Sequence, residues 1–423
     1  MDTTEAPIVY EPYGQGAIDR DVYQRLLERA PVYRADSGVY VVSRYADVRS
    51  VNLQPGIFSS RALQKVSLGM WTDDDPDFTD ADYQHLVELT AGFSVTPEQL
   101  LKARMIMSAD PPHHTIQRRI ISRAFLPGQL APWQRWIAGQ VRELLDGITG
   151  EAPFELNKVI GVPLPVRVIG RILALDPADH WRIKRWSDEI CGGAQGPDRG
   201  TPEALGRILR AYREYLEFLM PRIEARRREP ADDMISVLVR AEEDSDALSV
   251  GDTLFFLLAV MVAGNETTTH LIGTSVVELQ TNQDQLELLT ANPELIENTD
   301  EETLRLRPPA QTTFRIVLED TEIAGTPIPK GATVINLFGA ANLDPDVFPE
   351  PRKFDIRRKN VSAHLSFGHG IHFCIGAALA RLEAAEALRG LLPILPRLKL
   401  AQPPESVESL ILDGYTRVEL EPR

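Results

Sequence analysis

Apolar positions along this chain recur mostly at helical spacing. Trp133, Ile137, Val141 and Leu144 fall three or four apart, and the period returns in Leu205, Leu209, Tyr212, Leu216 and Leu219. Residues 129–220 are therefore predicted to be mainly helical. Gly192-Gly193-Ala194-Gln195-Gly196-Pro197 reads as the loop between two of these helices. The longest apolar run, Leu254 to Gly264, has eleven residues. Ser249 and Asp252 form a capping box ahead of it, which opens a long helix to about Leu289. Eleven residues fall short of the roughly 20 that cross a bilayer, so the run is read as a helix buried on all sides. Pro293 and Pro308-Pro309 bracket a shorter helix, and an alanine-rich one starts near Ile375.

Alternation with a period of two is confined to short stretches. Gly38 to Val42 is one, and Phe314 to Val334, broken by Ala324-Gly325 and Pro329-Lys330-Gly331, holds the others. Asp344 to Phe354, with Pro345, Pro349 and Pro351, is expected to be irregular and to lie on the surface. The fold class is mainly α with a minor β portion. The β segments fall within 1–60 and 309–340, and the helical core within about 110–308 and 375–392. No repeat or low-complexity linker divides the chain, so one domain is expected over 1–423.

Composition narrows the possible functions. Of 423 residues, 43 % are hydrophobic, enough for a sizeable core. The formal charge of −16 argues against nucleic acid or a membrane surface as the main partner. Two cysteines, Cys191 and Cys374, make no disulfide framework, and the first residues are acidic with no apolar run after them. A soluble, cytoplasmic protein is expected.

The chemistry centres on Cys374, in Phe367-Gly-His-Gly-Ile-His-Phe-Cys374-Ile-Gly376, directly before the helix-forming Ala377-Ala378-Leu379-Ala380-Arg381. A thiolate at a helix N-terminus is favoured by the dipole and by free N–H groups, and the glycines let backbone approach a flat or charged group. One thiolate with no second cysteine nearby suits a haem iron better than zinc or an iron–sulfur cluster. A lone cysteine is also commonly a small buried hydrophobe. His369, His372 and Cys374 could form a zinc site, but a fourth ligand at recognisable spacing is missing. No G-x-G-x-x-G joins a strand to a helix, so the glycines do not mark a dinucleotide site.

Together with three other motifs, this stretch resembles the haem-binding loop of the cytochrome P450 superfamily, F-G-x-G-x-H-x-C-x-G in its bacterial form. Phe367, Gly368, Gly370, His372, Cys374 and Gly376 all match. Ala263-Gly264-Asn265-Glu266-Thr267-Thr268 matches the family's A-G-x-[DE]-T-[TS] in the central helix. There Gly264 can bring backbone close to a ligand, and a threonine can bond back to the carbonyl four residues earlier. Glu302-Thr303-Leu304-Arg305 matches E-x-x-R, and Asp110-Pro111-Pro112-His113-His114-Thr115-Ile116-Gln117-Arg118 matches D-P-P-x-H-T-x-x-R.

The resemblance implies a triangular, mainly helical fold, with haem b between the central helix and the Cys374 loop. It implies Cys374 as axial iron ligand, and His114, Arg118, Arg315 and His372 as partners of the haem propionates. Ala263, Gly264, Phe367 and Gly376 would line the cofactor, and Glu266 with Thr267 would supply protons for oxygen activation. Glu302, Arg305 and Arg358 would form a buried structural triad, and Cys191 would have no role. The implied reaction is monooxygenation of a lipophilic molecule; a peroxide-driven or non-oxidative haem enzyme is the alternative.

No flavin or nicotinamide fingerprint is present, so electrons are expected from a separate [2Fe–2S] ferredoxin and its reductase, with NAD(P)H used only indirectly. Arg118, Arg119, Arg123 and Arg358 are the expected docking cations. Ala259, Val260 and Ala263 suggest an apolar substrate face, with variable substrate zones at Ser60–Met107 and Asp176–Met220. The first zone holds the acidic stretch Asp73, Asp74, Asp75, Asp77, Asp80 and Asp82. A monomer is expected.

Overall fold

The apolar run becomes the axis of the molecule. In the computed structural model, which describes residues 8–12, 20–61, 80–93, 95–122, 130–199, 201–245, 248–409 and 411–423, the central helix spans Val250–Thr281. Its start is capped as expected: Ser249 Oγ accepts from the Asp252 N–H at 3.1 Å, and the Asp252 carboxylate accepts from the Ser249 N–H at 2.9 Å. It ends earlier than the apolar pattern suggests. Asn282 leaves helical backbone angles, its side chain donates back to the Glu278 carbonyl, and a separate helix follows over Gln283–Ala291.

Helices His180–Gln195, Pro163–Ile172, Ile296–Leu306 and Ala377–Leu391 pack around this axis. By length and composition the central helix could cross a membrane, but 67 % of its most apolar window is buried inside the protein. It also buries Asp252, Asn265 and His270 there. Helix His180–Gln195 runs through Gly192 and Gly193, which were expected in a loop. The reason is packing: the helix crosses Pro202–Arg228 at this point, and Ile208 lies directly against Gly193. The chain leaves the helix only at Gly196.

Strands from both β-forming stretches join one five-stranded sheet, in the order Val32–Arg34, Tyr40–Val42, Thr333–Leu337, Thr312–Val317, Phe58–Ser59. Only the Tyr40–Val42 and Thr333–Leu337 pair is parallel. Helix Arg20–Arg29 precedes the first strand and helix Tyr45–Asn52 lies between Tyr40–Val42 and Phe58–Ser59, where the sequence pattern suggested sheet alone. Each buries a small stripe, Val22, Tyr23, Leu26 and Leu27 in the first and Val48 and Val51 in the second. Stripes this short are weak helical signals beside stronger strand ones.

Glu302 ties the core to the irregular segment that precedes the Cys374 loop. Arg305 donates to both its oxygens at 2.7 and 2.8 Å, and Arg358 Nε lies 3.1 Å from each. All three are buried. The arginines' remaining donors reach carbonyls of that segment: Arg305 those of Asn342 and Pro351, and Arg358 that of Pro349. Breaking a buried charge network by removing one partner leaves the others uncompensated, typically at a cost of about 3–5 kcal/mol. Glu302→Gln is therefore expected to lower unfolding stability by roughly that amount. Urea denaturation of the variant beside the parent measures it.

Candidate active site

The burial of the central helix is interrupted on one face. Ala263 is exposed and Val260 and Thr267 are partly so, in a helix whose other residues are mostly enclosed. These three positions are spaced to share one face, which the packing leaves uncovered. Ala259, expected on the same face, is buried in the packing instead. Thr267 Oγ1 donates to the Ala263 carbonyl at 2.6 Å, the back-bond its position allowed.

Gly264 is also required by packing. A Cβ there would lie 2.5 Å from Ile169 Cδ1, so its smallness serves the crossing with helix Pro163–Ile172.

Glu266 points away from this face, toward helix His180–Gln195. Its Oε1 accepts from Ser187 Oγ at 3.1 Å and from Asn265 Nδ2 at 3.1 Å, and it lies 3.4 Å from Lys184 Nζ. Lys184 also pairs with Asp188, whose side chain reaches solvent. Burial raises the Asp188 pKa, and Glu266 adds to the effect against the pull of Lys184. Cys191 sits in the same neighbourhood. Burial pushes its thiol up, and Glu266 and Asp188 push it further, so it stays neutral. Sequence reasoning had no access to Lys184 or Ser187 as partners, because each is some eighty residues from Glu266.

Cys374 is exposed, although protein groups are packed closely around its sulfur. Its N–H donates to the Phe367 carbonyl at 2.8 Å, which closes the loop ahead of helix Ala377–Leu391. Burial among protein groups raises the thiol pKa. The N–H groups of Gly376 and Ala377 and the charges of Arg118 and Arg381 oppose this without overcoming it. A cation bound at the sulfur would act in the same direction as those amides and arginines. Gly370, at φ +72°, is needed because a Cβ would lie 2.4 Å from the Asn52 carbonyl. His369 accepts from Arg49, and His372 Nε2 lies 3.0 Å from Ser60 Oγ, so both histidines of the zinc alternative are engaged elsewhere.

Beside the loop is a pocket rich in cations and poor in anions. His114 is buried with Nε2 unpartnered, and its ring centroid lies 4.4 Å from that of His372. Burial, with help from neighbouring cations, lowers His114 to about 4 and His372 to about 2. Burial also brings Arg315 down to about 10. Arg315 is steered by Asn52 Oδ1 and Thr313 Oγ1, both at 3.0 Å. Arg118 donates to the Phe373 carbonyl at 2.7 Å. The nearby anion, Asp110, already accepts from Ser59 Oγ and the Ser60 N–H. An orphaned imidazole nitrogen and two arginines around so little negative charge fit a ligand carrying carboxylates. Asp110 stood in a sequence motif; Asn52 and Ser60 gave no signal, since their partners are hundreds of residues away.

Arg358, expected on the docking face, is buried in the Glu302 network and cannot serve there. Arg119 is exposed, and Arg123 lies outside the described residues. Of the acidic stretch, Asp73, Asp74, Asp75 and Asp77 also lie outside them, and Asp80 begins a helix over Asp80–Thr90 that includes Asp82.

Comparison with known proteins gives matches that agree with one another. The family model for cytochrome P450 matches residues 199–393. Cytochrome P450 107B1 of Saccharopolyspora erythraea is 33 % identical over the full length of both chains. The 6-deoxyerythronolide B hydroxylase of the same organism is 37 % identical over 73 % of this chain and 75 % of its own. Among solved structures, CYP109E1 from Bacillus megaterium in complex with testosterone superposes with a TM-score of 0.80. It is 31 % identical, over 95 % of this chain and 97 % of that one.

Proposed function

Because the chain belongs to the cytochrome P450 family, we propose that the Cys374 thiolate would hold haem b, with the open helix face of Val260, Ala263 and Thr267 bordering the same site. The chain is a haem-dependent monooxygenase acting on lipophilic molecules. What carries the site assignment is the pairing of an exposed sulfur with a carboxylate-seeking pocket beside it. His114, Arg118, Arg315 and His372 would hold the propionates, and Phe367 and Gly376 would shape the sulfur side. When bound, the haem supplies O2 activation, placing one oxygen atom in the substrate while the other leaves as water.

This chain's own part is to position substrate and to move protons. The Thr267 hydroxyl, anchored on the Ala263 carbonyl, offers its oxygen to a water or ligand in the cavity. Glu266 Oε1 is wired through Lys184 to Asp188 at the solvent edge, so protons enter from the side of helix His180–Gln195. Rotation of Glu266 from Lys184 toward Thr267 then carries a proton inward. The small apolar side chains of Val260 and Ala263 suit a large lipophilic substrate, in keeping with the steroid and 6-deoxyerythronolide B named for two relatives. A terpenoid, steroid, fatty-acid and macrolide panel scored by the spin-state shift of the Soret band tests that class. Electrons would come from a [2Fe–2S] ferredoxin and its reductase, which oxidises NAD(P)H. A cytoplasmic monomer belongs to the same proposal, and its two unpaired cysteines suit a reducing compartment.

His114→Leu and Arg315→Met should each weaken haem retention on gel filtration, and Cys374→Ser should abolish the red-shifted Soret band of the thiolate-ligated carbon monoxide complex. Cys191→Ser should leave that band intact; its loss there instead would overturn the ligand assignment.

Thr267→Ala should keep haem and NAD(P)H oxidation yet divert flux to hydrogen peroxide, measured by peroxide against product. Glu266→Gln should slow turnover within the 10²–10⁴-fold typical of general acid catalysis, roughly, with a larger solvent isotope effect. Parental rate and coupling in both variants would send the protons by another route.

Arg119→Glu should slow reduction by an acidic ferredoxin without changing haem content. The parental rate should fall with salt over the range where the Debye length shrinks to about 8 Å. Stopped-flow reduction at two ionic strengths reads both effects.

A further inference from the structure

Arg381 lies on the helix that begins at Ala377, immediately after the Cys374 loop, and it is held from two sides. Its Nε and Nη2 donate to the two oxygens of Glu301 at 2.6 and 3.1 Å, a bidentate fork. Its guanidinium carbon lies 4.4 Å from the centroid of the Phe367 ring. Phe367 packs with Leu271, Leu304 and Ala384, and its carbonyl accepts from the Cys374 N–H. Glu301 is in turn 3.2 Å from His364 Nε2, while His364 Nδ1 accepts from the Ser366 N–H. Burial would raise the Glu301 carboxyl, but His364 and Arg381 hold it down at about 2. The ion pair is therefore charged on both sides at neutral pH.

We propose that Arg381 is a positioning residue whose charge, fixed by Glu301 on the Phe367 ring, sets the electron affinity of a haem iron bound through Cys374. The inference rests on Cys374 as the axial ligand. Arg381 is seven residues beyond Cys374, and the Phe367 ring beneath its guanidinium belongs to the residue whose carbonyl accepts from the Cys374 N–H. The carboxylate of Glu301 offsets part of the Arg381 field. One-electron reduction adds negative charge at the iron–sulfur unit, so a neighbouring cation favours the reduced state and a neighbouring anion opposes it. The two members of the pair therefore act with opposite sign. Arg118, the other cation near the sulfur, is engaged with the Phe373 carbonyl and the propionate pocket. That leaves Arg381 as the cation not used in holding the cofactor.

The test is a spectroelectrochemical titration of the haem-loaded full chain with small-molecule mediators and no protein electron donor. Arg381→Met should shift the ferric/ferrous potential downward and Glu301→Gln should shift it upward. Arg381→Lys, which keeps the charge but loses the fork and the ring contact, should fall between Arg381→Met and the parent. Shifts of both single variants in the same direction, or no shift, overturn the proposal. Should Arg381→Met lose haem, the upward shift of Glu301→Gln still decides. The carbon monoxide complex of the parent reports thiolate ligation separately, so failure of the Cys374 assignment is told apart from failure of the tuning.

Discussion

The structure is organised around one space that its packing leaves open. Protein interiors fill to near-crystalline density, and an apolar helix of 32 residues would ordinarily be covered on every side. Here the cover is withdrawn along Val260, Ala263 and Thr267, and a cysteine sulfur is left reachable nearby. Keeping such a space open requires rigid surroundings. The capping box at Ser249, the Gly264–Ile169 crossing and the Glu302 network all hold elements that would otherwise collapse inward.

Electrostatics explains why the open space takes one kind of occupant. Buried imidazoles pushed toward neutrality and a buried arginine with few anions about it represent unmet demand for negative charge. The Cys374 thiol has the converse problem, since burial outweighs the amides and arginines that favour its anion. A flat group carrying carboxylates at its edge and a cation at its centre answers both demands at once. A bound group of that kind would balance charges that the protein groups alone leave unpaired.

Much of this was legible in the sequence because the chemistry depends on local motifs. The Cys374 loop, the Glu266–Thr267 pair and E-x-x-R are each formed by neighbours in sequence, so their spacing survives in one dimension. The capping box and the back-bond of Thr267 followed from the same local rules. What was not legible is what long-range packing decides. Gly264 and Gly370 answer to Ile169 and Asn52, and Glu266 answers to Lys184 and Ser187. The short helices Arg20–Arg29 and Tyr45–Asn52 were hidden for a related reason: their buried faces are too brief to register before the sheet they cover exists. The glycine pair at 192–193 shows that a turn-forming composition yields to helix crossing when the partner surface is shaped for it.

The placement of Glu266 and Thr267 shows how adjacent residues can serve two compartments. Successive positions on an α-helix are rotated by about 100°, so neighbours in sequence face different surroundings. Thr267 borders the open face, while Glu266 faces helix His180–Gln195, where Lys184 and Ser187 hold its carboxylate. An acid lining the open face would place a carboxylate against a lipophilic substrate at a considerable desolvation cost. Turned toward Lys184, it stays paired, near a water-reaching Asp188, and one side-chain rotation from the alcohol. Helical geometry thus gives the Thr267 hydroxyl and the Glu266 carboxylate different surroundings without separating them in sequence. The acid–alcohol pair is for that reason a dipeptide on this helix rather than two residues one turn apart.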